Sequence, residues 1–232
     1  MLIEKTLYWG SKPVVAAYIK AMLKLDVQQH EAFPAGPKII AVNHPSTADP
    51  FFIAAILKHQ SYILIKEVLF HIPVFGEYLR RSGHIPVTAG QGQTSIESAL
   101  THLKAGHTVV IFPEGHVSPP EGGFLKARTG VARLALLSGA PVVPIGIHLI
   151  NDRIHLKRTR VNGQVETGQW YLSGPYNITI GRAMRFTGDV ENRPYVRSVA
   201  DLVMRRIIEL ATESEIRMDR GLGIIPGVLE TM

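Results

Sequence analysis

Short apolar runs alternate with helix-like segments from residue 38 onward, and this alternation restricts the fold more than any other feature of the sequence. Five of these runs are predicted to be strands, at 38–42, 61–66, 84–87, 107–112 and 141–150. A sixth run, 177–186, alternates apolar and polar residues like an edge strand. Strands separated by helices are typical of a mixed, largely parallel sheet flanked by helices. The sequence therefore predicts an α/β fold.

Helices are predicted in the segments that separate or follow these strands. Their expected ranges are 50–58, 74–81, 94–105, 126–138 and 194–213. Asp49 and Asn192 are the expected N-caps of the first and last of them, and 94–97 has the pattern of a capping box. Residues 151–175 and the tail from residue 221 show no period that assigns an element.

Residues 1–30 are predicted to form an amphipathic helical element that precedes the main domain, residues 31–232. The sequence around Pro13 predicts a break between two short helices. Four lysines fall within about 120° of a helical wheel, at positions 5, 12, 20 and 24. This pattern, with Trp9, is typical of docking on an anionic membrane surface, and a helical hairpin packed on the domain is the alternative. No run of about 18 apolar residues occurs, so we expect no membrane-spanning helix.

The composition excludes several kinds of chemistry. The sequence has no cysteine, which excludes disulfides, thiolate zinc sites and a thiol nucleophile. Its ten histidines lack metal-ligand spacing, so we expect no metal. The net charge of +6 lies in residues 115–185, which hold nine Lys or Arg against three Asp or Glu. This segment suits phosphate groups, an anionic membrane or an acidic carrier protein. No nucleic acid is expected as a partner, because aromatic residues do not interleave with the cations.

The loop after the first predicted strand, residues 43–49, pairs a histidine with a carboxylate. His44 and Asp49 are separated by four residues on a strand-to-helix turn, which can fold the carboxylate onto the imidazole. Asp49 would then fix the tautomer and leave the other ring nitrogen as a general base for an attacking hydroxyl. The alternative is that Asp49 only caps the next helix. Ser46 on the same turn is poorly placed as a hydrolase nucleophile, and the sequence has no Gly-x-Ser-x-Gly motif.

The loop after the strand at 107–112 carries a second carboxylate. Glu114 directly follows a buried strand, where a charge without a partner is costly, and Gly115 permits close backbone approach. A solvated Pro-Glu-Gly turn is the alternative. Lys126 and Arg128 lie near the expected start of a helix, where cations are unfavourable unless an anion lies among them. They are candidates for a phosphate site, or else ordinary surface residues.

Four blocks in order along the chain resemble the signature of the glycerophospholipid acyltransferases, the family of 1-acylglycerol-3-phosphate acyltransferase. The blocks are Asn43-His44 with Asp49; Lys66, Pro73, 76–81 and 83–87; 112–115; and 142–145. A single block would be weak evidence, whereas four in the family's order and spacing, from about residue 39 to residue 147, are specific.

The resemblance implies transfer of an acyl group from acyl-CoA or acyl-carrier protein to the free hydroxyl of a lysolipid. No cofactor is implied beyond the thioester co-substrate. His44 would be the general base and Asp49 would orient it. The implied substrate-binding residues are Glu114, Gly115, Arg80, Arg81, Lys126, Arg128 and Pro144. Residues 1–25 resemble the family's membrane-docking element, which implies a peripheral or monotopic enzyme on the cytoplasmic face of a membrane, with 31–232 as its acyltransferase domain.

Two departures from the family pattern concern the acceptor. The third block usually continues Gly-Thr-Arg-Ser, and Val117 stands here in place of the arginine. The second block often ends Val-Asp-Arg, and Thr88 and Ala89 stand here in place of Asp and Arg. A 1-acylglycerol-3-phosphate-like acceptor is still expected, with the basic residues named above as substitute cations. The alternatives are a non-phosphate lysolipid or other apolar alcohol, and a non-catalytic basic lipid-binding module.

Overall fold

A computed structural model describes residues 2–161 and 163–222 of the chain, which leaves residue 1, residue 162 and the tail from residue 223 outside the description. Within the described residues, seven strands form the main sheet and two form a separate hairpin. The strands are β1 Leu23–Gln29, β2 Lys38–Val42, β3 Ser61–Lys66, β4 Ile85–Val87, β5 Thr108–Ile111, β6 Val142–Leu149, β7 Ile154–Val161, β8 Gln164–Tyr171 and β9 Gly174–Ile180. The order in the main sheet is β1-β9-β6-β2-β5-β3-β4. All neighbours are parallel except β6 and β9, so the predicted mixed, largely parallel sheet is confirmed.

Helices cover both faces of this sheet. In the described ranges they are α1 Leu2–Met22, α2 Asp49–Ile56, α3 Phe75–Arg81, α4 Gly92–Lys104, α5 Gly130–Ser138 and α6 Arg193–Gly221, with short 3₁₀ helices at Glu67–His71 and Asn151–Arg153. One core lies under α1, α2 and α3, and includes Phe52 and Tyr176. The other lies under α4, α5 and α6, and includes Val131 and Val203. None of the described helices combines the length and apolar character that a bilayer crossing requires.

The N-terminal segment is one helix and not the predicted pair. Pro13 lies inside α1, where it removes one helical hydrogen bond. Contacts of the two preceding residues hold the segment against the domain and offset that loss. The hydroxyl groups of Ser11 and Tyr78 are 2.9 Å apart, and Lys12 Nζ donates a hydrogen bond to the carbonyl of Leu57. Tertiary contacts therefore outweigh the local preference for a break.

The predicted helical element at 1–30 is also too long. It ends at Met22, and residues 23–29 form β1, which pairs with β9 along its whole length. The run at 177–186 is not an edge strand either, because β9 lies between β1 and β6. Its polar positions are buried and bonded to α6: Thr179 Oγ1 lies 2.7 Å from Ser214 Oγ, and Asn177 Nδ2 donates to the Ser214 carbonyl. The alternating apolar and polar residues of this strand therefore face two buried layers, and not a buried core on one side and solvent on the other.

Two of the three predicted caps are absent. Ala48 holds the N-cap position of α2, so Asp49 belongs to the helix and its carboxylate makes no cap bond. α4 begins at Gly92, ahead of the pattern at 94–97, and has no side-chain cap. The cap at Asn192 is confirmed, because its side chain accepts a hydrogen bond from the amide of Tyr195 at 3.1 Å. Residues 151–175, which had no assignment, contain the β7–β8 hairpin.

His84 makes the stability of this fold dependent on pH. It is buried before β4, and its Nδ1 accepts a hydrogen bond from the amide of Ile63 at 3.3 Å. Burial, with a smaller contribution from His102, lowers the pKa of His84 from 6.5 to about 4. The unfolded chain therefore binds the proton first as the pH falls, so stability decreases between pH 6.5 and about 4.

We expect the free energy of unfolding to fall by roughly 3 kcal/mol across this range because of His84 alone, at about 1.4 kcal/mol per pKa unit. His84→Asn keeps an acceptor near Nδ1 and removes the titration. Urea unfolding at a series of pH values measures both proteins, and the difference between them should shrink as the pH falls. Parallel stability curves for the wild type and the variant would contradict this role.

Candidate active site

The site forms where two parallel strands end side by side. Ala41 of β2 pairs with Ile111 of β5, so the loops that follow both strands leave the sheet at the same edge. The first loop carries His44 and leads into α2, and the second carries Glu114. The amide of Ser118 in the second loop donates to the carbonyl of His44 at 2.8 Å, which joins the loops directly. Ligand chemistry in parallel α/β sheets gathers at this edge.

His44 and Asp49 form a hydrogen-bonded pair. His44 Nδ1 lies 3.0 Å from Asp49 Oδ2, and the aspartate side chain is fully buried. A buried carboxylate at Nδ1 favours the tautomer that carries its proton on Nδ1. Nε2 then has a free lone pair, and no described residue bonds to it. The ring stacks on Phe112 with centroids 4.2 Å apart, which fixes its plane.

Two further donors hold the carboxylate of Asp49. The amide of Ser46 donates to Oδ2 at 2.8 Å, and the hydroxyl of Tyr176 donates to Oδ1 at 2.5 Å. Tyr176 comes from β9 and is fully buried, and burial and the Asp49 charge raise its pKa well above the usual value. It therefore stays protonated and remains a donor. Asp49 keeps its orientation through partners from three parts of the chain.

Glu114 links the two loops through its carboxylate. Oε1 accepts hydrogen bonds from the amide of His44 at 3.0 Å and from Ser118 Oγ at 2.8 Å, and Oε2 accepts one from the amide of Leu125 at 2.7 Å. Burial raises the pKa of Glu114, and these three bonds oppose that rise. With three donors in place, Glu114 positions the backbone of His44. Its predicted contact with an acceptor stays a prediction.

The first loop is clamped from two sides by residues whose roles the motif did not reveal. Asn43 bonds to both backbone groups of Ile147 in β6, at 2.7 and 2.9 Å. Gln169 of β8 accepts from the amide of Thr47 and donates its side-chain amide to the carbonyl of Ser118. Asn43 belongs to the first of the four sequence blocks that resemble the family signature. Gln169 and Tyr176 lie more than a hundred residues away, and no local pattern marks them.

Ser46 is unsuited to act as a nucleophile. It is fully buried, and its hydroxyl donates to the carbonyl of Gln169 at 3.2 Å. The same oxygen accepts from the amides of Ala48 and Tyr171. An occupied, buried hydroxyl that is not bonded to His44 offers no nucleophile–base pair. This disfavours the hydrolase alternative.

A cluster of basic side chains lies beside Gly115. A Cβ at Gly115 would come within 2.5 Å of Arg128 Nε, and the positive φ of 71° also requires glycine there. The guanidinium of Arg128 contacts His116 Nε2 at 3.0 Å. Burial, together with the charges of Arg128 and Lys66, lowers the pKa of His116. Lys66 also pairs with Glu166 of β8 at 2.6 Å. Of the predicted substitute cations, Arg128 is therefore the one that lies beside Gly115 in the second loop.

The other predicted substitute cations lie elsewhere. Arg80 and Arg81 both pair with Glu77 on α3, at 3.2 and 2.5 Å. Lys126 is exposed in the loop before α5, which begins at residue 130 and not at 126, and has no ion-pair partner among the described residues. These three residues make no described contact with His44 or Asp49.

Pro144, predicted to line a substrate pocket, lies on the face of β6 that α6 covers. Its ring packs near Gly181, close to Leu210 of α6. The pair of His44 and Asp49 lies under the opposite layer of helices, with Tyr176. The structure therefore does not bring Pro144 to the pair of His44 and Asp49.

We predict that Tyr176→Phe lowers the free energy of unfolding by about 1.5–3 kcal/mol, since it removes a hydrogen bond to a buried charge. Tyr171→Phe is the matched control, because that buried hydroxyl donates to the neutral carbonyl of Pro175 at 2.7 Å. The control should lose only about 0.5–1.5 kcal/mol. Urea unfolding of both variants measures the two losses in free energy. Equal losses would show that the hydrogen bond to Asp49 stabilises the fold no more than the bond to the neutral carbonyl does.

Comparison with known proteins supports the family resemblance that the four blocks carry. The family model described as Acyltransferase matches residues 24–148, slightly more than half of the chain. The 1-acyl-sn-glycerol-3-phosphate acyltransferase of Salmonella typhimurium is 26% identical over 134 residues, covering 56% of this chain and 54% of that one. The Bacillus subtilis protein of the same name is 29% identical over 108 residues, or 46% and 53% of the two chains. The N-acylphosphatidylethanolamine synthase of Arabidopsis thaliana is 29% identical over 129 residues, or 51% and 45%.

The chain spans about half the length of these curated relatives. A solved structure, described as the 1-acyl-sn-glycerophosphate (LPA) acyltransferase PlsC from Thermotoga maritima, resembles its fold with a TM-score of 0.59 at 23% identity. That likeness covers 89% of this chain and 79% of the other. The family resemblance predicted from the four blocks is confirmed: the chain belongs to the acyltransferase family, among the glycerophospholipid acyltransferases.

Proposed function

We propose that this protein is an O-acyltransferase that moves a fatty acyl group from a thioester to the free hydroxyl of a lysophospholipid. The donor is acyl-CoA or acyl-carrier protein, and the acceptor resembles 1-acylglycerol-3-phosphate. One observation carries the proposal: the imidazole of His44 is held at Nδ1 by the buried Asp49. Phospholipid synthesis or remodelling is the corresponding process.

The proposed reaction needs one base and no covalent enzyme intermediate. His44 Nε2 takes the proton of the acceptor hydroxyl as its oxygen attacks the thioester carbonyl carbon. A C–O bond forms, the C–S bond breaks, and the imidazolium returns the proton to the departing thiolate. Asp49 stabilises the imidazolium in between. Its fixed orientation supports this role, because a base must stay within hydrogen-bond reach of the proton that it removes.

We predict that His44→Ala lowers kcat by about 10²–10⁴, the usual contribution of a general base. Asp49→Asn keeps the size of the side chain and should lower kcat by at least about tenfold, because the amide cannot stabilise the imidazolium. His71→Ala, at an exposed histidine, is the control and should match the wild type. The assay follows labelled acyl-CoA with a mixed lysolipid extract, and mass spectrometry identifies the product. Full turnover by folded His44→Ala would refute the base assignment.

The cluster of Lys66, His116 and Arg128 supports a phosphate-bearing acceptor despite Val117. A phosphomonoester carries nearly two negative charges at neutral pH, and a guanidinium can bind it with two parallel hydrogen bonds. Arg128 bonds to His116 and has no carboxylate partner among the described residues, so its charge is available to a ligand. The Arabidopsis relative's name refers to N-acylation of a phosphatidylethanolamine, which keeps a zwitterionic acceptor as the second candidate.

We predict that Arg128→Gln raises the KM for lysophosphatidate about tenfold to a hundredfold, as expected for a lost charge-assisted hydrogen bond. Arg81→Gln removes a cation that pairs with Glu77 and should leave this KM unchanged. Val117→Arg should increase the preference for lysophosphatidate over neutral and zwitterionic acceptors. A side-by-side acceptor panel measures all four proteins. Equal KM values for wild type and Arg128→Gln would remove Arg128 from the phosphate site.

We also propose that α1 docks the protein on an anionic bilayer, on the cytoplasmic face and without spanning it. Trp9 and Val14 are 47% and 70% exposed on this helix, and the Lys12 ammonium lies 5.0 Å from the centre of the Trp9 ring. Exposed apolar side chains beside cations are typical of helices that lie in a membrane interface. Both substrates carry acyl chains, so docking would bring the site to them.

A further inference from the structure

The β7–β8 hairpin projects from the domain at the edge of the candidate active site. It forms a sheet of its own, outside the residues that the family model matches. Its inner end is fixed, because Gln169 bonds to Thr47 and Tyr171 is buried. In its outer part, residues 155–160 are all exposed. The hairpin therefore presents an uncovered surface within the described part of the chain.

One face of this hairpin combines exposed apolar side chains with arginines. Leu156, Arg158 and Arg160 alternate along β7, so they point to the same side. Val165 pairs directly with Arg160 across the ribbon and shares that side. Leu156 is 58% exposed and Val165 is 60% exposed. We call these four residues the hairpin face.

The charge on the hairpin face is not neutralised. Neither Arg158 nor Arg160 has an acidic partner among the described residues. Glu166, the nearby acid of β8, pairs with Thr159 in the ribbon and so belongs to the opposite side, where it binds Lys66. Two free guanidinium groups among exposed Leu and Val side chains suit a surface that is both anionic and apolar. The interface of an anionic bilayer has both properties.

The hairpin is joined to α1 at its base. Leu172 directly follows β8, is 46% exposed, and accepts a hydrogen bond through its carbonyl from the hydroxyl of Tyr18 on α1 at 2.5 Å. Exposed apolar side chains therefore occur on α1, at this junction and on the hairpin face. Binding of an acidic carrier protein would explain the two arginines, but it would not explain why Leu156 and Val165 are exposed beside them.

We propose that the hairpin face is a second membrane-docking surface, which binds an anionic lipid bilayer together with α1. The inference deepens the proposed docking of this acyltransferase and rests on it. Two contacts on different elements fix a molecule on a plane better than one helix does. Because the hairpin also bonds to the loop of His44, its docking would place the lipid surface beside the candidate site.

The test measures co-sedimentation with vesicles made of equimolar phosphatidylglycerol and phosphatidylcholine. We expect the double variant Arg158→Gln/Arg160→Gln to bind at least about tenfold more weakly than the wild type, at about fivefold per cation near an anionic surface. The variant Leu156→Ser/Val165→Ser should also bind more weakly, and its loss should persist at high salt. Arg182→Gln/Arg205→Gln removes the same charge at exposed positions elsewhere and should bind like the wild type.

Three further measurements separate the possible failures. Thermal unfolding must match among the variants. Acyl transfer between short-chain, water-soluble substrates should be unchanged in the hairpin variants. Acyl transfer to an acceptor carried by vesicles should fall in the same variants. Trp9→Ser/Val14→Ser tests α1 alone. Vesicle binding equal to that of the wild type in both hairpin variants would overturn the inference, as would weakened binding of acyl-carrier protein without weakened vesicle binding. Absence of acyl transfer by a wild type that binds vesicles would instead refute the proposed function.

Discussion

The buried carboxylate of Asp49 is the constraint on which the arrangement of the site depends. An ionised group without solvent must be paired and fully hydrogen-bonded, or it shifts to its neutral form. Its donors are the imidazole of His44, the amide of Ser46 and the hydroxyl of Tyr176. The first two lie on the same turn, but the third arrives only when β9 takes its place in the sheet. The pair is therefore complete only in the folded domain.

Glu114 has a comparable position in the second loop, and the two carboxylates bind different parts of His44. Asp49 acts on the imidazole ring, and Glu114 acts on the backbone amide of the same histidine. The contact between the amide of Ser118 and the carbonyl of His44 closes this arrangement. A histidine held by its ring, its amide and its carbonyl loses little further freedom when a substrate binds. The general-base role proposed for His44 requires such preorganisation.

The sequence predicts the parts of this fold that local pattern controls. Parallel strands buried on both faces are short apolar runs, which the sequence shows directly. The loops after β2 and β5 carry polar residues in a recognisable order and spacing, so His44, Asp49 and Glu114 can be identified from the sequence. Contacts across the sheet leave no such pattern, and Tyr176 and Gln169 were missed for that reason. Pro13 and the alternation in β9 gave wrong predictions, because tertiary contacts to Tyr78, Leu57 and Ser214 override local preference.

The junction between α1 and β1 has a mechanical consequence. The helix ends at Met22 and the strand begins at Leu23, with no connecting loop, and every residue of β1 is paired with β9. A hinge needs unpaired backbone, and none is present at this point. Any tilt or rotation imposed on α1 is therefore passed to the sheet as a rigid movement, and with it to Tyr176, which shares β9. The tilt of α1 therefore determines the orientation of the whole sheet, and with it the direction in which the imidazole of His44 faces.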